Sequence, residues 1–292
     1  MIAQSSDSHC PICRSRTGRA YSVTILKKHA SELRACATCD FCYLSPVYWL
    51  DEAYAQSINV TDIGYVWRNN SACQFVSSLL ISNFDSKDLF LDFGAGYGMF
   101  VRLMRDRGFR FQYYDPSCQN LFSRFNEAKL NQRSRYKLVT AIEVIEHTID
   151  PVASVREMLN YADSILLSTE ITPSTPPDPE WWYLGFEHGQ HIGFFGERSF
   201  IVLADNLSLK YMRIAGNWHL LSTADINLRK QPTSRIGRAI NRLYRAKRNF
   251  RSLMISNFEA TRTFLDDPEL AARFGNSIDE YYDWQEGSCR AD

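Results

Sequence analysis

Three groups of residues in this 292-residue chain have types and spacings suited to chemistry. The first is Leu89-Phe90-Leu91-Asp92-Phe93-Gly94-Ala95-Gly96-Tyr97-Gly98. Its glycines remove the Cβ atoms that would keep a ligand off the backbone, and they permit positive φ. The amides of the helix that follows point at whatever sits above the turn, so the turn suits a nucleoside-containing ligand. The second group is Glu143, Glu146 and His147 in Thr140-Ala141-Ile142-Glu143-Val144-Ile145-Glu146-His147. On a helix these stand at i, i+3 and i+4, hence on one face. Two carboxylates and an imidazole there could hold a divalent metal, with His191 as the later ligand and His188 second. The same spacing is met by acids acting as caps and hydrogen-bond partners, with His147 or His191 alone as general base.

The third group is Cys10-Pro11-Ile12-Cys13 and Cys36-Ala37-Thr38-Cys39. Each C-x-x-C places two thiolates on one small turn, and two such turns complete a tetrahedron around zinc. Four sulfur ligands leave no open position, so the site would be structural. Cys42, His29 and His9 leave the ligand set open, and a cluster of reduced buried thiols is the alternative.

The elements that must position these groups read as follows. Leu89–Phe93 is an apolar run of the kind buried on both faces of a parallel sheet. A helix follows with Phe100, Leu103 and Met104 on one face. Phe111–Asp115 is the next strand and ends in an acid. Gln119–Ala128 reads as a helix, Tyr136–Ile142 as a strand, Pro151–Leu159 as a helix with an early proline, and Ser164–Thr169 as a strand. Helix Gly196–Leu207 and a closing antiparallel pair, Leu209–Ile214 and Trp218–Thr223, complete the pattern. Alternation at this spacing argues for a doubly wound α/β sheet. The expected domains are a zinc ribbon over 1–50, a helical lead or lid over 51–86, the α/β body over 87–227, and a basic helical C-terminal extension over 228–292. Tyr54, Tyr65 and Trp67 in the lead segment could reach a ligand or simply pack the core.

The D-x-G-x-G-x-G turn, with Asp115 one strand later, resembles the class I S-adenosylmethionine-dependent methyltransferases, and E-V-x-E-H resembles the segment after their fourth strand. The resemblance covers the middle half of the chain and implies a Rossmann-like methyltransferase fold. It implies that Asp92, Gly94, Gly96 and Gly98 hold the methionine part of S-adenosyl-L-methionine, that Asp115 holds the ribose, and that Glu143 lies on the cofactor side. No clear acid or amide for the adenine follows Asp115. Small-RNA 2′-O-methyltransferases and ubiquinone-pathway O-methyltransferases use an E-x-x-E-H set with a later histidine to bind metal. By that likeness Glu143, Glu146, His147 and His191 would hold a second divalent cation.

Ile171–Glu197 carries four prolines, then Trp181-Trp182-Tyr183-Leu184-Gly185-Phe186. Prolines lower the entropy cost of ordering a loop, and a stiff aromatic loop at the carboxyl edge of a sheet is a natural acceptor pocket. The pattern is similar to bacterial methyltransferases that carry an N-terminal zinc ribbon, several of them tied to glycan or secondary-metabolite chemistry. Sugar C-methyltransferases share that ribbon and a Tyr/Glu/His loop, so Tyr183, Glu187 and His188 could serve carbanion chemistry instead.

The totals set bounds. Net charge is zero, so no overall field recruits nucleic acid. The stretch from Arg229 to Met254 is basic without an acid and could meet RNA or anionic lipid, or dock on its own domain. No apolar run reaches transmembrane length. The N-terminus lacks a signal-peptide core, so a cytoplasmic location is expected. The reading is methyl transfer to a hydroxyl of a small molecule, such as a sugar or a glycan or secondary-metabolite precursor, with His191 or His147 as base and Glu143 as a further catalytic candidate. Its rivals are RNA 2′-O-methylation, sugar C-methylation, a non-catalytic scaffold and a NAD enzyme. Oligomeric state is not legible.

Overall fold

The computed structural model describes residues 9–55, 62–85, 87–130, 136–225 and 227–228. In chain order these form β1 (Gly18–Ile25), β2 (His29–Ala35), β3 (Cys42–Ser45), α1 (Leu50–Ala53), α2 (Tyr65–Asn83), β4 (Leu89–Phe93), α3 (Met99–Asp106) and β5 (Arg110–Tyr114). There follow β6 (Leu138–Ile142), α4 (Pro151–Met158), β7 (Ser164–Ser168), β8 (Gly193–Phe194), α5 (Glu197–Asn206), β9 (Lys210–Ala215) and β10 (Trp218–Ser222). Single 3-10 turns lie at Ile145–His147 and Trp182–Leu184. The described residues divide into two compact units: one runs to Ile63 and resumes over Gln132–Asn227, and the other covers Gly64–Asn131. The basic C-terminal extension expected over 228–292 lies outside the described residues beyond Leu228.

In the unit beginning at Gly64, β4 and β5 run parallel, with Asp92 opposite Tyr113, and α3 connects them. All five β4 residues are buried, as the apolar run requires. The Phe90, Phe100 and Phe111 rings pack within 5.3 Å of one another along the chain of contacts; each such ring contributes about 1.5–3 kcal/mol of burial. Helix α2 lays Cys73 and Ser77 on α3, at Phe100 and Met104.

The helix expected over Gln119–Ala128 does not form. The Asn120 side chain accepts from Ser123 N at 2.9 Å and donates to Ser123 O at 2.8 Å, which offers the backbone a local alternative to the helix. Phe125 then takes a positive φ, and Glu127 lies beside Tyr113 in a parallel bridge.

In the other unit, β6 and β7 run parallel through α4, whose N-cap Asp150 accepts from Ala153 N ahead of Pro151. Strand β10 then pairs antiparallel with both β7 and β9. Alternating strands and helices with parallel pairs and an antiparallel close make the chain an α/β protein with a Rossmann-like arrangement. The N-terminal part forms a second, antiparallel sheet in the order β1-β2-β3-β8. Its last strand comes from the loop after β7, and Ile25, Leu33, Leu44 and Trp49 share one core with Tyr183, Leu184, Ile192 and Phe194. Among the described residues no helix is long and apolar enough to cross a membrane.

Candidate functional site

The glycine turn follows β4 directly. Gly94, Gly96 and Gly98 have φ of 70°, 56° and 83°, values that side chains rarely tolerate. A Cβ on Gly98 would come within 2.7 Å of Asn120 Oδ1, whereas one on Gly96 would meet nothing nearer than the Tyr65 hydroxyl at 3.9 Å. The turn therefore leaves a backbone cradle at Gly96, as a bound nucleoside derivative needs. Asp115 Oδ2 accepts from Gly96 N at 2.9 Å, and its Oδ1 accepts from Ser117 N and Cys118 N at 2.8 Å. The acid that follows β5 thus fixes the turn after β4. The Tyr113 hydroxyl lies 2.9 Å from Gly96 O and 2.7 Å from Cys118 O, bracing the same pair of loops. Tyr65 sits at this turn with its hydroxyl at the backbone N–H groups of Tyr97 and Met99, and burial pushes its pKa up to about 12. Asp92, at the carboxyl end of β4, is buried. Open backbone at Gly96 beside the carboxylates of Asp92 and Asp115 is chemistry that S-adenosylmethionine would fit.

The second cluster lies in the other unit. The helix that would align Glu143, Glu146 and His147 shrinks to one 3-10 turn over Ile145–His147, and Glu143 lies before it with φ +54°. A positive φ at a non-glycine residue costs about 1–3 kcal/mol. It is held by hydrogen bonds of Glu143 N to Ser168 O at 3.0 Å and of Ser168 Oγ to Glu143 Oε1 at 3.0 Å. The conformation turns Glu143 towards Tyr183, whose hydroxyl lies 2.9 Å from Glu143 Oε2 and 2.6 Å from Glu146 Oε1, with Thr169 Oγ1 at 3.1 Å. A phenol has one proton for two carboxylates. Glu146 Oε2 is buried with no hydrogen-bond partner, and no lysine or arginine among the described residues pairs with either acid. Burial raises both carboxyl pKa values, and the Glu146 charge raises that of Glu143 further. Burial also holds the Tyr183 phenol well above its ordinary value.

Two imidazoles face this acid pair. His147 Nδ1 lies 3.0 Å from the Gln190 carbonyl and 2.8 Å from the Tyr54 hydroxyl. A carbonyl only accepts, so Nδ1 carries the proton and Nε2 the lone pair. His191 Nδ1 donates to Tyr183 O at 2.6 Å, which gives the same tautomer. One ligand atom each from Glu146, His147 and His191 lies within 4.8 Å of the others. Glu143 is not in that group. His188, the second histidine of the sequence reading, is oriented oppositely: its Nδ1 accepts from Gln190 N at 3.1 Å, and its ring fills the space over Gly185.

The four cysteines of the two C-x-x-C turns come together, with Cys10 Sγ 3.5 Å from Cys39 Sγ and Cys13 Sγ 3.4 Å from Cys36 Sγ. A tetrahedral zinc with Zn–S of about 2.3 Å spaces its sulfurs by about 3.8 Å, so the set fits the ion. Cys42 is a buried free thiol outside the group, in β3 opposite Phe194. Sequence reasoning did not find Ser168, Thr169 or Gln190, and it read Tyr54 as a ligand or core contact without its bond to His147. Each acts through a long-range hydrogen bond that leaves no spacing signal.

A methyltransferase-domain family model matches residues 66–212, about half of the chain, and the chain belongs to that family. No curated protein matches it in sequence. Among solved structures it is similar to the mitomycin 7-O-methyltransferase MmcR, with 13% identity and a TM-score of 0.39 over 61% of this chain and 60% of that one. It is similar also to the magnesium protoporphyrin IX methyltransferase of Synechocystis PCC 6803, with 11% identity and a TM-score of 0.37 over 59% of this chain and 88% of that one. The plantazolicin methyltransferase BpumL, solved with S-adenosylhomocysteine, aligns at 10% identity and a TM-score of 0.39 over 60% of this chain and 90% of that one. The match thus spans less than two thirds of the mitomycin enzyme's length.

Proposed function

We propose that the chain methylates a hydroxyl of a small molecule, and that Glu146, His147 and His191 form the place where that hydroxyl loses its proton. The observation that carries this is the buried Glu146 carboxylate, short of one hydrogen-bond partner and faced by two imidazoles of fixed tautomer. When bound, S-adenosylmethionine supplies an electrophilic methyl group and leaves as S-adenosylhomocysteine. Asp92, Gly94, Gly96, Gly98 and Asp115 hold it. As the new carbon–oxygen bond forms, the acceptor oxygen must shed a proton, and the Nε2 lone pairs of His147 and His191 are basic positions for it.

The same three side chains are a donor set for a divalent first-row transition metal, which imidazole nitrogen favours over the all-oxygen ligation of Mg²⁺. Bound there, such an ion would lower the pKa of the acceptor hydroxyl. Two buried carboxylates without a lysine or arginine partner among the described residues support this, because a dry acid pair requires a proton or a cation. The carbonyls on both Nδ1 atoms support it too, since metal-ligating histidines are oriented in this way. Glu143 stands behind, holding Tyr183. Zinc in Cys10, Cys13, Cys36 and Cys39 would be closed and structural. Trp182, 73% exposed beside buried Tyr183, offers an apolar face to a sugar or aromatic ring.

The test is calorimetry with S-adenosylhomocysteine alongside Mn²⁺ titration followed by electron paramagnetic resonance, on wild type and Glu146→Gln. Mn²⁺ does not compete for a four-thiolate site. Expected are cofactor-product binding in both proteins and depletion of the free Mn²⁺ signal by wild type alone. Product binding without Mn²⁺ binding would remove the cation and leave a histidine base. A folded chain that binds no S-adenosylhomocysteine would overturn the methyl-transfer reading.

A further inference from the structure

The stretch that carries His188 and His191 has almost no regular structure of its own; between the 3-10 turn ending at Leu184 and the two residues of β8 it is turn and coil. Its backbone polar groups still need partners, and the N-terminal segment supplies them. Leu26 N donates to Phe186 O at 2.8 Å, and Leu44 N donates to Ile192 O at 2.9 Å. Trp49 Nε1 donates to Gly189 O at 2.8 Å, and Gln190 Nε2 donates to Ala53 O at 2.9 Å. Gly189 packs so closely on Ile25 and Trp49 that a Cβ would sit 2.7 Å and 3.0 Å from them. Ile192 N in turn donates to Glu146 O at 2.9 Å, and Tyr54 reaches His147 Nδ1.

The four-cysteine cluster is tied into the same framework. Ser199 Oγ donates to Cys39 O at 2.8 Å, Asn206 Nδ2 donates to Ile12 O at 2.7 Å, and β3 leaves the second knuckle to pair with β8. We infer that the zinc ribbon is the wall on which the acceptor-side cluster is assembled, so that occupancy of the four cysteines sets the positions of His191 and, through Tyr54, of His147. Zinc then acts on methyl transfer as a positioning element, although it has no open coordination site and touches no substrate. Tyr54 and Trp49 are positioning residues.

The inference rests on zinc filling the four-cysteine cluster, so metal content is measured first in the full chain. Wild type is expected to carry one zinc; its absence overturns the inference at the premise. In Cys39→Ser, zinc is expected to be lost and amide exchange over residues 186–195 to accelerate by about tenfold, the effect of one lost net hydrogen bond. S-adenosylhomocysteine affinity should change by less than about twofold, because the glycine turn belongs to the other compact unit. Lost zinc with unaltered exchange would make the ribbon an independent module.

Should Cys39→Ser fail to fold, Trp49→Phe keeps an aromatic ring in the core and removes the donor to Gly189 O together with part of the indole that packs on Gly189. With zinc retained, it should speed exchange over 189–192 by about tenfold; unchanged exchange overturns the inference. Tyr54→Phe should shift the His147 imidazole resonances while leaving zinc in place, and unmoved resonances would remove Tyr54 from the assembly. Exchange and resonances are read without cofactor, acceptor or second cation, so their outcome is separate from that of the methyl-transfer reading.

Discussion

The Tyr183 hydroxyl stands between two acids and donates to Glu146 Oε1 across 2.6 Å. Removing it leaves buried carboxylate oxygens short of a donor, which costs about 1–3 kcal/mol. Tyr183→Phe should therefore lower the unfolding midpoint by several degrees. If Glu146 ligates a cation, the variant should also weaken Mn²⁺ binding by about tenfold or more, as loss of a ligand's orienting partner does. Thermal melts and Mn²⁺ titration read the two effects separately.

Asp115 accepts from three backbone amides, one of them on Gly96. Asp115→Asn halves the accepting capacity and removes the charge that strengthens these bonds. The glycine cradle should loosen, and S-adenosylhomocysteine affinity should fall by about tenfold, near 1.4 kcal/mol. Calorimetry on the folded variant checks it; wild-type affinity would show that Asp115 neither fixes the turn nor contacts the ligand.

The ligand set of the proposed zinc site can be tested by single substitutions. Cys42 is buried against Phe194 and lies outside the four-sulfur group. Cys42→Ala should keep one zinc per chain, with the modest loss of stability of a small truncation in a packed site. Cys39→Ala should lose zinc. Elemental analysis of the two purified proteins distinguishes them, and zinc loss in Cys42→Ala would redraw the ligand set.

His219 is fully buried and stacks on Phe200 at 4.1 Å, with Nδ1 3.0 Å from the Tyr211 hydroxyl and Nε2 3.3 Å from Thr169 O. Burial pushes its pKa down to about 4. The unfolded chain, with a value of about 6.5, then binds the proton more readily than the folded one. Stability from this group is present above pH 6.5 and is lost as pH falls through about 4, up to about 3 kcal/mol in all. Urea titrations at pH 7.5 and pH 4.5 should show the loss in wild type and a flatter dependence in His219→Gln.

What was legible in the sequence was what repeats locally. The apolar run at Leu89–Phe93, the Asp-Gly-Gly-Gly spacing, the closing antiparallel pair and the two C-x-x-C turns each announce themselves within a few residues. The helix over Gln119–Ala128 was misread because Asn120 diverts the backbone through its own side chain, a competition that periodicity cannot register. The helical face drawn through Glu143, Glu146 and His147 was misread because Glu143 takes a positive φ stabilised by Ser168, 25 residues away. The acid pair on Tyr183 and the carbonyls that set the two histidine tautomers come from segments some 8 to 43 residues distant. Only the assembled fold puts them side by side.

Strand β8 joins the ribbon sheet although it lies about 150 residues after its partner β3. During synthesis the two knuckles and the β1–β3 meander emerge early, yet their fourth strand and about a third of their core arrive only with residues 183–194. The N-terminal segment must wait with one sheet edge unpaired and its apolar face uncovered, a state open to edge-to-edge association. A chain truncated shortly before Tyr183 should accordingly be aggregation-prone even when it binds zinc. Supplying the missing strand as a separate peptide should restore solubility if that edge is the cause.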